Sequence, residues 1–441
     1  MRRRTFIKST GASAAILGLA GIGSADDDHY RPRGPWPPNE NAINYESYLD
    51  NEELADRLHG IDQRSDRVEL REIGQSAGRN DPIWEVTLGD GDENVHMING
   101  IHGDEPAGVE ATLRVLERLA EGSSPEVEAI LDTLSLTIVP DANPDGNEFR
   151  GDSGVEDEGD RIQRRVNTTE WEEGDSLRRP QYFYEFLDVG GYDLNRDFSV
   201  VTDFTPVEDE REELWRESDD LWFYDLPTDE IPLEPTIDDP PEVIENHGLR
   251  INPETRAVTE SYLEADPDWA LTHHHQGGVV DPDSTDESGP DWQTMMSVMA
   301  PQGPAYADIS DDIEEGGGNI FMSEDAQKRS LQLGILAKDA MQARGGGRLD
   351  KINRFPYGPL WGSYEEALPP QTDAAALLYE VAHQSEDRGQ MAVGTTINVT
   401  VKVYMETFRR IADGSIDEID ETRYFDEMSV ASPPLENPHG R

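Results

Sequence analysis

Four of the chain's ten histidines fall in two polar clusters, His102-Gly103-Asp104-Glu105 and His273-His274-His275-Gln276. An imidazole and a carboxylate three residues apart on a glycine-containing loop can face one small ion together. A second imidazole brought in from a distant segment completes a two-His, one-carboxylate set. Such a set leaves a coordination position open for water, as catalytic zinc requires. His-x-x-Glu alone is a weak pattern. It gains weight here because both clusters lie at the ends of short apolar runs that read as strands.

Those runs belong to an alternating series. Residues 68–73 and 83–88 alternate like strands, with the turn Asp90-Gly91 after the second. Residues 95–101 form a short apolar strand ending at His102, and Val109, Leu113, Leu116 and Leu119 then recur at helical spacing. Residues 134–139 form another buried strand, closed by the turn-dense 140–146. Pro253 sits in the first turn of a further helix, and 269–272 form a strand running into the histidine triplet. Residues 374–381 are the last strong strand, and Ile397, Val401, Tyr404, Phe408 and Ile411 mark a helix that packs on the sheet. Tyr45, Tyr48, Leu49, Leu54 and Leu58 outline an opening helix that ends at Gly60. Strands alternating with helices predict an α/β fold: a single large domain with a mixed, mostly parallel sheet flanked by helices. The polar clusters sit at strand C-terminal ends, where open α/β sheets place ligands.

Composition narrows the function classes. The chain has 441 residues, 93 acidic and 37 basic side chains, a formal net charge of -56 and no cysteine. A polyanion of this strength repels phosphate backbones, which excludes nucleic acid as a partner. Absence of cysteine excludes a disulfide framework, thiolate metal sites and thiol nucleophiles. Lysine is confined to Lys8, Lys328, Lys338, Lys351 and Lys402. An acidic, lysine-poor surface holds water and cations and suits concentrated salt, so the expectation is a halophile's protein.

At the N-terminus, Arg3-Arg4-Thr5-Phe6-Ile7-Lys8 precedes an apolar stretch over 11–22 and a small-residue site at Gly23-Ser24-Ala25. This is the layout of an export signal, with paired arginines like the twin-arginine type. The expected organisation is a signal over 1–25, a linker over 26–41, a folded domain over 42–414 and an acidic tail over 415–441. Acidic insertions are expected near 151–190 and 201–250. The mature protein is expected outside the cytoplasm, with no stable membrane insertion and an open oligomeric state.

Taken in order, several motifs resemble the zinc metallocarboxypeptidases related to carboxypeptidase A, over roughly residues 42–412. They are Ile73-Gly74-Gln75-Ser76, His102-Gly103-Asp104-Glu105-Pro106-Ala107-Gly108, Asn143-Pro144-Asp145-Gly146 and Asp193-Leu194-Asn195-Arg196-Asp197-Phe198. Pro253-Glu254-Thr255-Arg256-Ala257, the histidine cluster and Leu377-Leu378-Tyr379-Glu380-Val381 follow. The resemblance implies one zinc ion with His102 and Glu105 as ligands and a strand-end histidine as the third. Strand alternation puts Ala270, Thr272 and His274 on one face and Trp269, Leu271 and His273 on the other. The small residues suit an open site, which favours His274; His273 stays as the alternative, and His275 is a pocket residue.

The same resemblance implies Glu380 as general base, in an apolar strand setting that raises a carboxyl pKa. It implies Asn195 and Arg196 as the grip on the substrate's terminal carboxylate, since a guanidinium binds a carboxylate in two-pronged fashion. Tyr357 falls where the family has a tyrosine closing over substrate, with Tyr364 in competition. Arg165, ahead of Arg164, matches the arginine that polarises the scissile carbonyl. Where relatives often carry arginine two residues after the catalytic glutamate, this chain has Ala382. The implied function is a secreted zinc carboxypeptidase acting on peptides or proteins. The alternatives are a zinc amidohydrolase for N-acyl amino acids and an inactive binding protein on the same scaffold. Two N-glycosylation patterns occur, at Asn167 and Asn398. The second falls in an expected packed helix, which leaves Asn167 as the candidate.

Overall fold

The computed structural model describes residues 48–150, 161–169, 183–186, 189–198, 252–276, 294–306, 318–319, 321–343, 351–355, 362–382 and 393–431, with two short paired strands at 30–31 and 34–35. The expected signal, Tyr357 and the insertion over 201–250 lie outside the described residues.

Local signals open most of the helices. Asp50 caps α1 (Asn51–Arg64): its carboxylate accepts the Glu53 N–H at 2.8 Å, and the Glu53 side chain accepts the Asp50 N–H in return. Leu54, Leu58 and Ile61 form its buried stripe. The helix runs through Gly60, the expected end, because Ile61 completes that stripe. Helix α2 (Ala107–Glu121) stops at Gly122, and Ser124 caps α3 (Pro125–Thr133) with proline in the first turn. Helix α4 (Pro253–Ala265) also starts on proline. It ends at Asp266, whose φ of 43° lies in the left-handed region.

Eight strands make one sheet: β1 (Val68–Gln75), β2 (Pro82–Leu88), β3 (Glu93–Ile98), β4 (Leu134–Val139), β5 (Trp269–Gln276), β6 (Met296–Met299), β7 (Ile352–Arg354) and β8 (Ala375–Ala382). Their spatial order is β7-β6-β8-β5-β3-β4-β2-β1. The central run β8-β5-β3-β4 is parallel, and so is β6-β7; β6-β8, β4-β2 and β2-β1 are antiparallel. This is the mixed α/β architecture the alternating pattern predicts.

The two faces of the sheet differ. Trp269, Leu271, Leu377, Tyr379 and Val381 point into the larger apolar core, with α1, α2, α5 (Glu324–Gln342) and α7 (Val393–Ala412). The opposite face carries Ala270 and Ala376 under α4 and the short α6 (Tyr364–Ala367). In register, His274 stands beside Glu380 and Thr272 beside Ile98. The C-terminal ends of β3, β4, β5 and β8 therefore open at one edge.

Two differences from the sequence reading have clear causes. Periodicity passes over α5, because that helix is buried nearly all round and includes Gln327, Ser330, Gln332 and Lys338 on its covered faces. The stretch 415–431, expected as the start of a loose acidic tail, instead packs on the body. Ile416, Ile419, Tyr424 and Met428 are buried, and Arg354 N donates to Ser429 O at 2.9 Å. The Tyr424 ring lies where a Cβ on Gly334 would come within 2.5 Å of it, so the small residue in α5 admits the ring.

Candidate metal centre

After β3 the chain turns through Gly100, whose φ is +63°, into the loop holding His102 and Glu105. Asn143, on the loop after β4, donates its amide to Ile101 O at 3.0 Å and to Arg165 O at 3.1 Å. The backbone of this loop lies against Gly146: a Cβ on Gly103 would fall 2.1 Å from the Gly146 carbonyl carbon. Glycine at 103 is what permits the approach.

The loop brings its two polar side chains against β5. His102 Nδ1 lies 2.9 Å from Glu105 Oε1, His274 Nδ1 lies 2.9 Å from Glu105 Oε2, and the two Nδ1 atoms are 3.0 Å apart. All three residues are buried. Among the described residues this is the one group of three whose ligand atoms lie within 4.8 Å of one another. Donor edges near 3 Å match a tetrahedral ion with ligands at about 2.0–2.1 Å. Two inward imidazole nitrogens and a carboxylate, taken out of water together, have the chemistry to hold zinc.

The outward side of His102 is fixed by Asp193. Its Oδ1 lies 3.1 Å from His102 Nε2, and its Oδ2 accepts Arg165 Nε at 3.0 Å. A carboxylate on the far nitrogen of a ligand histidine sets the ring's tautomer and raises its basicity. Burial and the Arg165 charge pull His102 down, but Glu105 and Asp193 outweigh them and lift it to about 9. Burial works against the Glu105 and Asp193 charges; His102 and His274 hold Glu105 well below the usual carboxylate range, and Arg165 and His102 do the same for Asp193. The pocket attracts positive charge. Asp193 had no assigned role in the sequence, although it stands two residues before Asn195 in the same motif.

Glu380 is next to His274 on β8. Among the described residues its buried Oε2 has no hydrogen-bond partner. Burial, then the Glu105 charge, push its carboxyl well above the ordinary range, against smaller opposing effects of His102 and Arg165. Arg165 also comes within 3.8 Å of Glu105 Oε1. Arg164 turns away, donating to Val189 O and Gly190 O and lying over the Phe149 ring.

Asn195 and Arg196 sit on the short helix Leu194–Arg196. Asn195 Nδ2 is 3.4 Å from His274 Nε2, and half-buried Arg196 donates to Asn195 O. His273 faces the other side of β5, where its ring meets Tyr404 of α7. Among the described residues neither His273 nitrogen has a hydrogen-bond partner, and burial, with the His274 charge, pushes it down to about 3. His275 accepts the Ala107 N–H at the start of α2. Tyr364, the competing lid tyrosine, is fully buried and bonded to His96, so it cannot close over a substrate. The glycosylation expectation also reverses: Asn167 is buried and donates to Asn252 Oδ1 at 2.9 Å, whereas Asn398 is exposed on α7.

The family model of the zinc carboxypeptidases matches residues 55–359, a stretch that contains His102, Glu105, Asn195 and His274. The chain belongs to the zinc carboxypeptidase family. Carboxypeptidase E of Caenorhabditis elegans is 31% identical over 161 residues, which cover 34% of this chain and 29% of that protein. The matched stretch is thus under a third of that relative's own length. Among solved structures, carboxypeptidase A from Helicoverpa armigera superposes with a TM-score of 0.51 at 14% identity, covering 92% of this chain and 81% of that one. Thrombin activatable fibrinolysis inhibitor gives 0.50 at 14% identity, covering 90% and 84%. These likenesses establish the carboxypeptidase fold. The family is one of zinc enzymes acting on peptides and proteins, and among the described residues no helix is long and apolar enough to cross a membrane.

Proposed function

We propose that this zinc carboxypeptidase family member is an active, exported enzyme that removes C-terminal residues from peptides. One observation carries the reading. His102, Glu105 and His274 converge at one point, and the orphan Oε2 of Glu380 stands on the adjacent strand. His102 Nδ1, Glu105 and His274 Nδ1 would hold the zinc. Zinc bound there supplies a Lewis acid for the scissile carbonyl and brings the pKa of water at the site toward neutrality.

The chain's own groups do the rest. Glu380 takes a proton from the attacking water and delivers it to the leaving amine, a role suited to a carboxyl whose pKa burial has raised. Arg165, held by Asp193, faces the charge that develops on the carbonyl oxygen. Asn195 and Arg196 take the terminal carboxylate, so only the last peptide bond reaches the centre. Tyr357, which lies outside the described residues, is assigned by the family resemblance alone as the tyrosine over the bound residue. The paired arginines near the N-terminus direct export, and the net charge of -56 fits work in concentrated salt.

The test is digestion of a defined peptide mixture in molar salt, with and without a chelator, comparing wild type with Glu380→Gln. Wild type should shorten peptides stepwise from the C-terminus, and chelator or the substitution should stop it. Internal cuts, chelator-insensitive cleavage, or activity confined to N-acyl amino acids would refute the reading.

A further inference from the structure

The direction in which Asn195 points is set by a neighbour. Its Oδ1 accepts the backbone N–H of Tyr364 at 3.0 Å. A side-chain amide has one acceptor end and one donor end. With the acceptor end taken by Tyr364, the NH2 group is turned toward His274, 3.4 Å from its Nε2. The donor end of the amide is thereby presented beside the candidate metal centre, where a carboxylate ligand needs a donor.

Tyr364 is itself tied down by a buried chain of hydrogen bonds. Its phenol oxygen lies 2.7 Å from His96 Nδ1, His96 Nε2 lies 3.0 Å from Ser261 Oγ, and Ser261 Oγ lies 2.5 Å from Glu85 Oε2. Arg71 closes the chain at the surface, donating from Nε to Glu85 Oε1 at 3.0 Å. Tyr364 and His96 are 0% exposed, Glu85 1% and Ser261 3%.

Chemistry fixes the direction of every proton. The Glu85 carboxylate can only accept, so the Ser261 hydroxyl donates to it. Ser261 must then accept from His96 Nε2–H, which leaves Nδ1 as acceptor for the Tyr364 hydroxyl. This requires a neutral imidazole, and burial, which pushes His96 down to about 3, keeps it neutral. Bonds aligned head to tail in a buried setting strengthen one another. The Tyr364 ring also stacks on His96 and meets Tyr262 and Phe198 edge-on.

We propose that Tyr364 is a positioning residue for substrate binding: the Glu85–Ser261–His96 chain anchors it so that its backbone N–H holds the Asn195 amide donors toward the substrate's terminal carboxylate. Tyr364 touches no substrate in this arrangement. The inference rests on the carboxylate-binding role given to Asn195 above.

The experiment is a double-mutant cycle on the zinc-loaded full chain, using a peptide with a free C-terminal carboxylate. Tyr364→Phe removes one hydroxyl and keeps the ring. It should raise KM about three- to tenfold, the loss expected for one hydrogen bond, with kcat within about twofold and the zinc content unchanged. Asn195→Ala should raise KM at least as far, and adding Tyr364→Phe to it should change nothing more. Ser261→Ala, which breaks the chain one link away, should act in the same direction and carries the cycle if the phenylalanine variant does not fold. A KM effect of equal size in the Asn195→Ala background would overturn the proposal, as would a matching fall in kcat or loss of zinc. If Asn195→Ala alone leaves KM unchanged, the carboxylate-binding reading fails with it, and that result is seen without any Tyr364 variant.

Discussion

Asp193 grips His102 from behind: its Oδ1 lies 3.1 Å from His102 Nε2 while Nδ1 of the same ring faces Glu105. One carboxylate therefore decides which histidine nitrogen is left for the metal. It also holds Arg165 through its other oxygen. Asp193→Asn keeps the size and removes the charge. It should weaken zinc binding about 10- to 100-fold, measured by competition against a chelator of known affinity. Unchanged affinity would show that the ring needs no carboxylate behind it.

Glu380→Gln should separate chemistry from metal binding. Glu380 contributes no atom to the His102, Glu105 and His274 group. Zinc content should therefore stay at the wild-type level while kcat falls by about 10²–10⁴-fold, the range for loss of a general base. Single-turnover rates beside metal analysis give both readouts. Loss of zinc would move Glu380 into the ligand set.

Gly103→Ala should damage the centre through the backbone. The new Cβ would meet the Gly146 carbonyl carbon at 2.1 Å, and a backbone atom cannot step aside as a flexible side chain can. The expected cost is about 1–3 kcal/mol of stability, read by denaturant unfolding, with weaker zinc binding because His102 is displaced. A stable variant with full zinc affinity would show that the two loops are free to separate.

Glu254 predicts a pH dependence. It is fully buried and accepts the Ala77 N–H at 2.8 Å. Burial raises its carboxyl to about 7, against hydrogen bonds that lower it. A group whose pKa is higher folded than unfolded binds more protons in the folded state. Its contribution is complete below about 4.5 and is lost as pH climbs through about 7. Glu254→Gln keeps an acceptor for Ala77 and Asn167 and removes the ionisation. Relative to wild type it should gain on the order of 2–3 kcal/mol between pH ~4.5 and pH ~8. Parallel unfolding curves for the two proteins across that range would contradict this.

Salt should stabilise the chain. Self-repulsion at a net charge of -56 weakens as the Debye length falls from ~10 Å at about 0.1 M to ~3 Å at about 1 M. The melting temperature should rise across that interval. A falling or flat curve would remove the halophilic reading.

The short β6 and β7 escape the local pattern, but the other six strands, the placing of the polar clusters at their ends and the face of β5 that carries His274 are legible in it. These are short-range matters: alternation of two and the spacing of turns fix them before any long-range contact forms. Packing alone settles that Arg165 and not Arg164 reaches Asp193, that Tyr364 is anchored to His96, and that 415–431 folds back onto α5. Each of these joins segments far apart in the chain, and the all-round burial of α5 leaves no stripe to read. A side chain's chemistry is written in its type; its partner is chosen by the packing of elements that the local pattern does not relate to one another.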